Sequence, residues 1–154
     1  MGQKVDIYPL QAWEAAAIDK ALASEPHWQA FYRLLWETGL RVSEALSLTR
    51  DSLRDGGIVV HILKRRGEFQ DFYPLSEGLY ATLQQLASPR YKYIFRSDKD
   101  KRKPYSRVAA LLALRRACQR AGITRKIHPH NYRHSYGRRL AQAQLGLSPL
   151  DHRA

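Results

Sequence analysis

The stretch TGLRVSEAL, residues 38–46, predicts a sharp turn between two helices. Gly39 should end the first helix, because glycine readily adopts the left-handed conformation found after helix C-termini. A short second helix then begins and carries Arg41 in its first turn. The helix dipole disfavours a cation at that position, so helix formation alone does not explain Arg41. Glu44 can reach the same helical face and hold the guanidinium; an ordinary surface Arg–Glu pair is the alternative.

Outward from this stretch, the apolar pattern predicts a mostly helical chain with one hairpin. Apolar side chains recur at helical spacing in residues 10–23, 27–38, 42–46, 77–87, 107–121 and 131–143. After a turn at Gly56-Gly57, β-branched residues 58–62 and the segment 68–73 flank a basic tip and predict two antiparallel strands. Ser106 is a candidate cap for the fifth helix and Gly122 its end. The sequence therefore predicts a single α+β domain, mostly helical, with a small antiparallel sheet.

Charge is unevenly distributed along the chain. Residues 1–60 hold 6 basic and 8 acidic side chains, whereas residues 61–154 hold 20 basic and 6 acidic ones. Such an excess of like charge disfavours folding through self-repulsion unless an anionic partner offsets it. Nucleic acid is the leading candidate partner, because Lys and Arg contacts to phosphates release condensed counterions. Binding to a membrane surface, or a simple contribution to solubility, would also account for the excess positive charge.

The composition excludes several classes of protein. Hydrophobic residues make up 44% of the chain and charged residues 26%, which argues against disorder. No apolar run reaches the roughly 20 residues of a membrane span, and the N-terminus shows no signal segment. Cys118 stands alone, so it can form neither an internal disulfide nor a cysteine metal cluster. We expect a cytoplasmic protein with a buried core thiol and no metal or other cofactor.

A second basic stretch, IHPHNYRHSY at residues 127–136, opens the last predicted helix. His130 and Arg133 are three apart and therefore share a face. An imidazole beside a guanidinium suits a phosphodiester that passes through a charged pentacoordinate state. Two alternatives remain open: a solvated basic helix start, or a metal site of His128, His130 and His134 in a metal-dependent nuclease.

Further cations are candidates for contact with DNA. Lys64, Arg65 and Arg66 form the hairpin tip, which can reach into a DNA groove or can be a solvated turn that blocks edge aggregation. The other candidates are Lys101, Arg102, Lys103, Arg107 and His134.

The order of these features resembles the tyrosine recombinases, the phage integrase family. Residues 38–46, then a hairpin with a basic tip, then the HxxRH pattern of residues 130–134 occur in the order typical of that family's catalytic domain. The resemblance covers nearly the whole chain from about Tyr8. It implies binding to double-stranded DNA, and cutting and rejoining of DNA strands through a phosphotyrosine, without a metal or nucleotide cofactor.

The resemblance also implies roles for individual residues. Arg41 and Arg133 would clamp the scissile phosphate, and His130 would act in proton transfer. Glu44 would support Arg41. The family's lysine, which protonates the leaving 5′-oxygen, would be Lys64, the only lysine of the hairpin. Counting back from Pro74 places Arg66 nearer the usual position, and arginine is a poor proton donor at neutral pH.

The termini depart from the family pattern. The family continues to a Leu-Gly-His segment and a nucleophilic tyrosine, whereas this sequence reaches Ala154 with no tyrosine after Tyr136. Tyr132 and Tyr136 are interpreted as packing residues. Residues 1–9 are too short for the family's N-terminal DNA-clamping domain. The expectation for residues 1–154 is a catalytic domain lacking both parts.

Such a domain should bind DNA weakly and cleave nothing alone. We expect a monomer in solution, which would assemble with other protomers on DNA when complete. The alternative is a non-catalytic DNA-binding remnant or regulator of the same fold.

Overall fold

The computed structural model describes residues 8–64 and 67–146. Its α-helices are α1 (Ala12–Ala21), α2 (Pro26–Thr38), α3 (Val42–Leu46), α4 (Glu77–Leu86), α5 (Arg107–Ala121) and α6 (Pro129–Gln144). Its strands are β1 (Leu53–Arg54), β2 (Gly57–Lys64) and β3 (Gly67–Pro74), and a 3₁₀ turn at Arg50–Ser52 precedes β1. The predicted α+β class is confirmed. None of the helices in the described ranges is both long and apolar enough to cross a membrane.

The sheet is antiparallel in the order β1-β2-β3. Strands β2 and β3 pair along their whole length, from Gly57 opposite Pro74 to Lys64 opposite Gly67. The predicted Gly56-Gly57 turn lies one residue earlier than expected: Asp55 and Gly56 have φ of 52° and 76°, and Gly57 already belongs to β2. Positive φ at both central residues is the type I′ geometry that suits a two-residue hairpin. This tight hairpin adds β1, a short strand that apolar spacing did not reveal.

Helix α2 lies at the centre of the core. Its Phe31 ring packs edge-on against Trp28, Tyr32 and Phe95. The Tyr32 hydroxyl donates a hydrogen bond to the carbonyl of Ala110 in α5. Helix α2 also packs on α4 and α6, and α1 packs on α5. The helices that carry the two basic stretches are therefore fixed against one core.

The helix ends follow the predicted local chemistry. Gly39 and Gly122 adopt left-handed conformations with φ of 66° and 71°, and they end α2 and α5. The Ser106 hydroxyl accepts a hydrogen bond from the Ala109 amide, so its predicted role as a cap is confirmed. Helix α6 begins earlier than predicted because Pro129 occupies its first position, where the missing N–H costs no hydrogen bond.

The segment before α1 fixes the start of α6. The side-chain amide of Asn131 donates to the Tyr8 carbonyl over 2.8 Å, and the Ser135 hydroxyl donates to the Leu10 carbonyl over 3.0 Å. Asn131 and Ser135 are both buried. These bonds leave the opposite face of the first turn of α6 for other contacts.

Candidate active site

The starts of three helices meet at one cavity of about 280 Å³. Arg41 immediately precedes α3, Arg107 is the first residue of α5, and His130 and Arg133 lie in the first turns of α6. The described lining residues are Leu40, Arg41, Val42, Ser43, Arg107, His128, Pro129, His130 and Arg133. None of them is acidic. Because helix N-termini carry partial positive charge, the cavity suits an anion.

Gly39, in the first basic stretch, contacts two residues of the second stretch, Tyr136 and Arg133. A Cβ atom added to Gly39 would lie 2.3 Å from Cδ1 of Tyr136, so the Tyr136 ring can pack there only against glycine. The Gly39 carbonyl accepts a hydrogen bond from Arg133 Nη1 over 3.0 Å. The turn that ends α2 therefore also orients the guanidinium of α6.

Glu44 makes a contact different from the one expected. Its Oε1 accepts a hydrogen bond from the backbone N–H of Arg41 over 2.9 Å and lies 3.9 Å from Arg133 Nη1. Within residues 8–64 and 67–146, no hydrogen bond or ion pair joins Glu44 to the Arg41 guanidinium, so neither the predicted support nor a surface Arg–Glu pair is formed. The carboxylate is engaged by the first turn of α3, which leaves the exposed Arg41 side chain available to the cavity.

His128 caps α6 beside His130. Its Nδ1 accepts a hydrogen bond from the His130 backbone N–H over 3.3 Å, and the two rings stack with centroids 5.4 Å apart. The Asn131 side-chain oxygen in turn accepts from the His128 backbone N–H over 2.7 Å. Burial lowers the pKa of His128, and the nearby His130, Arg115 and Arg107 lower it further.

Sequence reasoning considered His128 only as a metal ligand and did not single out Arg115. The signal that could have identified the cap is His128 directly before Pro129, since proline favours the first helical position. No comparable local signal marks Arg115, whose position near His128 depends on how α5 meets α6.

The alternative of a three-histidine metal site receives no support from the described residues. In the part of the chain that the structure describes, no group of three His, Cys, Asp or Glu residues could hold a metal ion. His128 uses its Nδ1 as the helix cap, and His134 is exposed and does not line the cavity. The geometry therefore gives no support to a metal-dependent nuclease.

The other predicted DNA contacts divide between the cavity and its surroundings. Arg107 lines the cavity. Lys101, Arg102 and Lys103 are exposed in the loop before α5, and none of them is among the lining residues. Lys64 ends β2, but its side chain lies outside the described residues, as do Arg65 and Arg66.

Tyr132 and Tyr136 have the predicted packing roles. Tyr132 is 2% exposed, and its ring centroid lies 5.2 Å from that of Tyr32 and 6.4 Å from that of Trp36. Burial raises its pKa well above the usual range. Tyr136 is half-buried against Gly39. Neither tyrosine lines the cavity.

Comparison with known proteins gives consistent likenesses. The model of the phage integrase family matches residues 10–153. Tyrosine recombinase XerD of Corynebacterium glutamicum is 30% identical over 122 residues, which cover 74% of this chain and 39% of that protein. The chain thus spans about two fifths of the length of this curated relative.

Solved structures show the same fold. XerA recombinase superposes with a TM-score of 0.74 at 22% identity, over 93% of this chain and 52% of XerA. A lambda integrase dimer bound to a COC′ core site gives a TM-score of 0.68 at 22% identity, over 94% of this chain and 55% of that one. These likenesses confirm the predicted type of fold.

Proposed function

Because the chain belongs to the phage integrase family, we propose that its basic cavity binds a phosphate of double-stranded DNA as part of the catalytic core of a site-specific recombinase. The observation that carries this proposal is the convergence of Arg41, His130 and Arg133 on one cavity with no acidic residue among its described lining. The two basic stretches are about ninety residues apart in sequence, and the fold brings them together.

The cavity's side chains have the chemistry that strand cleavage requires. The guanidinium groups of Arg41 and Arg133 can each donate two hydrogen bonds to non-bridging phosphate oxygens as negative charge develops. His130 can hold or transfer a proton at the reacting phosphate. Glu44 fixes the start of α3 through the Arg41 amide. Lys64 remains our candidate for protonation of the leaving 5′-oxygen, at the end of β2.

A tyrosine nucleophile is not among the described residues that line the cavity. Residues 8–64 and 67–146 therefore supply the phosphate-binding and proton-transfer part of the proposed reaction. The covalent step would form a phosphotyrosine, splitting strand exchange into two reversible transfers.

The proposal includes further recombinase protomers as partners. The lambda integrase structure to which this fold is similar is a dimer bound to a DNA core site. We expect the same class of assembly here, formed on DNA. We propose a cytoplasmic location, as expected of a protein that acts on DNA and has a single, buried cysteine, Cys118.

Binding to a labelled duplex across a salt series tests the proposed phosphate site. We expect affinity to fall steeply with salt, and Arg41→Ala and Arg133→Ala each to weaken binding by about 1–3 kcal/mol through loss of charge-assisted hydrogen bonds. Arg33→Ala is the matched control, since it removes the same charge from a residue paired with Asp19 outside the cavity. Failure to bind at low salt, or an equal loss in the control, would overturn the proposal.

A further inference from the structure

His128 contacts the proposed proton-transfer residue in two ways. Its Nδ1 accepts the His130 backbone N–H, and its ring stacks on the His130 ring at an interplanar angle of 21°. His128 is itself fixed by the side chain of Asn131, which accepts its backbone N–H. Asn131 is 2% exposed, so a buried side chain holds the backbone of His128 in place.

The cap requires one protonation state of His128. An imidazole nitrogen accepts a hydrogen bond only when it carries no proton, so the neutral ring must carry its proton on Nε2. Protonation at Nδ1 would set two donors against each other at the start of α6. The hydrogen bond that fixes the His130 amide would then be lost.

The charged groups around His128 also disfavour its protonation. The positive charges of Arg107 and Arg115 in α5, and the neighbouring His130, lower the pKa of His128. Arg41 and Arg133 line the same cavity. None of the described charged groups that act on His128 is acidic, so a cation there is opposed from α5 as well as from α6.

We propose that His128 is a positioning residue for His130: as a neutral imidazole protonated on Nε2, it caps and stacks against the turn that carries His130, and its protonation releases that turn. This inference rests on the proposed function, in which His130 acts on a DNA phosphate. His128 itself acts only through its neighbour.

The tautomer is testable in the free protein, without DNA. Long-range ¹H–¹⁵N spectra of the histidine side chains at about pH 7.5, where an ordinary histidine is mostly neutral, should show His128 with an unprotonated Nδ1 and a protonated Nε2. A protonated Nδ1 at this pH overturns the proposal, whatever the DNA-binding result.

Stability should depend on pH through the same group. The folded-state pKa of His128 is lowered, so the unfolded chain binds more protons near that pKa. This contribution is present above the ordinary value of about 6.5 and is lost as pH falls through the folded-state pKa. The urea midpoint of the wild type should therefore fall between about pH 7.5 and pH 5.5, and less so in His128→Asn.

His27→Asn is the matched control for the pH experiment. Burial, with further contributions from Arg96 and Lys101, lowers the pKa of His27 as well. This variant should also reduce the pH dependence of stability while leaving DNA affinity unchanged, because His27 does not line the cavity. An undiminished pH dependence in His128→Asn contradicts the proposed role of protonation.

Two substitutions at position 128 test the cap: asparagine can still accept a hydrogen bond at the start of α6, and alanine cannot. His128→Ala should weaken duplex binding by roughly 3- to 10-fold, the equivalent of a lost helix cap, and His128→Asn should return it to within about 2-fold of the wild type. Alanine binding as well as the wild type, or asparagine failing to rescue, overturns the proposal.

A double-mutant cycle tests whether His128 acts through His130. In a His130→Ala background, His128→Ala should change affinity by no more than about 2-fold. An undiminished effect would mean that His128 stabilises α6 without positioning His130. If the wild type binds no DNA, the proposed function fails, while the tautomer and the pH dependence still decide the state of His128.

Discussion

The arginines of the chain form two groups that differ in their partners. Arg125 is bound by Glu14 through two hydrogen bonds of 2.7 and 2.8 Å, and Glu14 is 2% exposed. Similar carboxylate partners occur at Arg33 with Asp19, Arg102 with Asp100, and Arg116 and Arg120 with Glu25. In contrast, no acidic residue is among the described lining of the basic cavity, and the one carboxylate near its arginines, Glu44, approaches Arg133 only to 3.9 Å. Arginines neutralised within the fold stabilise it, whereas those of the cavity remain available to an external anion.

Two cavities of the described chain differ in the same way. A groove of about 580 Å³ between α1, α2 and α4 is larger than the basic cavity. Its Arg33 and Asp19 pair with each other, and Glu37 accepts hydrogen bonds from the amide and hydroxyl of Ser76. The pairing of charge therefore favours the smaller cavity as the candidate anion site, although it is not the larger of the two.

Breaking the Arg125–Glu14 pair should have the largest effect on stability. Arg125→Ala breaks the ion pair of a buried carboxylate, which we expect to cost about 3–5 kcal/mol of unfolding free energy in urea titrations. DNA affinity of the folded protein should be unchanged, because Arg125 does not line the basic cavity.

The control for that experiment is Arg33→Ala. Its ion pair with Asp19 has side chains 42% and 33% exposed, so we expect a loss of no more than about 1 kcal/mol. If Arg125→Ala also lowered the free energy of unfolding by less than about 1 kcal/mol, the arginines with carboxylate partners would not differ in their contribution to stability as we infer.

Gly39→Ala should affect both regions at once. A Cβ atom would meet the Tyr136 ring at 2.3 Å on a backbone with φ of 66°, so we expect a loss of about 2–4 kcal/mol from strain and overpacking together. DNA affinity should fall as well, because the Gly39 carbonyl orients Arg133. Denaturation and duplex titration measure the two effects.

Gly137→Ala is the matched control on the neighbouring helix. Nothing lies within 4 Å of a Cβ at Gly137, so alanine should stabilise α6 by about 0.5–1 kcal/mol. Wild-type stability in Gly39→Ala would show that the turn tolerates a side chain, contrary to the close approach of Tyr136.

The sequence predicted the helices well, because their signals are local. Apolar spacing located α2, and the conformational freedom of Gly39 correctly indicated its end. The pairing of Leu53 with Ile58 in β1 was missed, since two residues are too few to show alternation. The turn was misplaced by one residue because consecutive glycines offered two positions for it.

That Arg41, His130 and Arg133 share one cavity was predictable from the sequence, but their contacts were not. The order of the basic motifs, which resembles that of a known family, was enough to group Arg41, His130 and Arg133 in one predicted site. The hydrogen bond from Arg133 to Gly39 and the approach of Glu44 to Arg133 depend on how α6 meets the turn after α2. Arg107 was expected to contact DNA, but its place in the cavity wall depends on the packing of α5. Such contacts join residues far apart in sequence, which periodicity cannot register.

The smallest effects are expected in the loop before α5, where the division between the two groups of arginines can be sharpened. Arg102 is 85% exposed and binds Asp100 through two nitrogen atoms. Arg102→Ala should leave the urea midpoint unchanged, because solvent screens an ion pair this exposed. If pairing with a carboxylate keeps an arginine from binding phosphate, Asp100→Asn should release Arg102 and strengthen duplex binding. The increase should be larger than in Asp71→Asn, which removes the same charge from strand β3. Equal effects of the two asparagine variants in the salt series would mean that net charge, not the pairing of individual arginines, governs this loop's contribution.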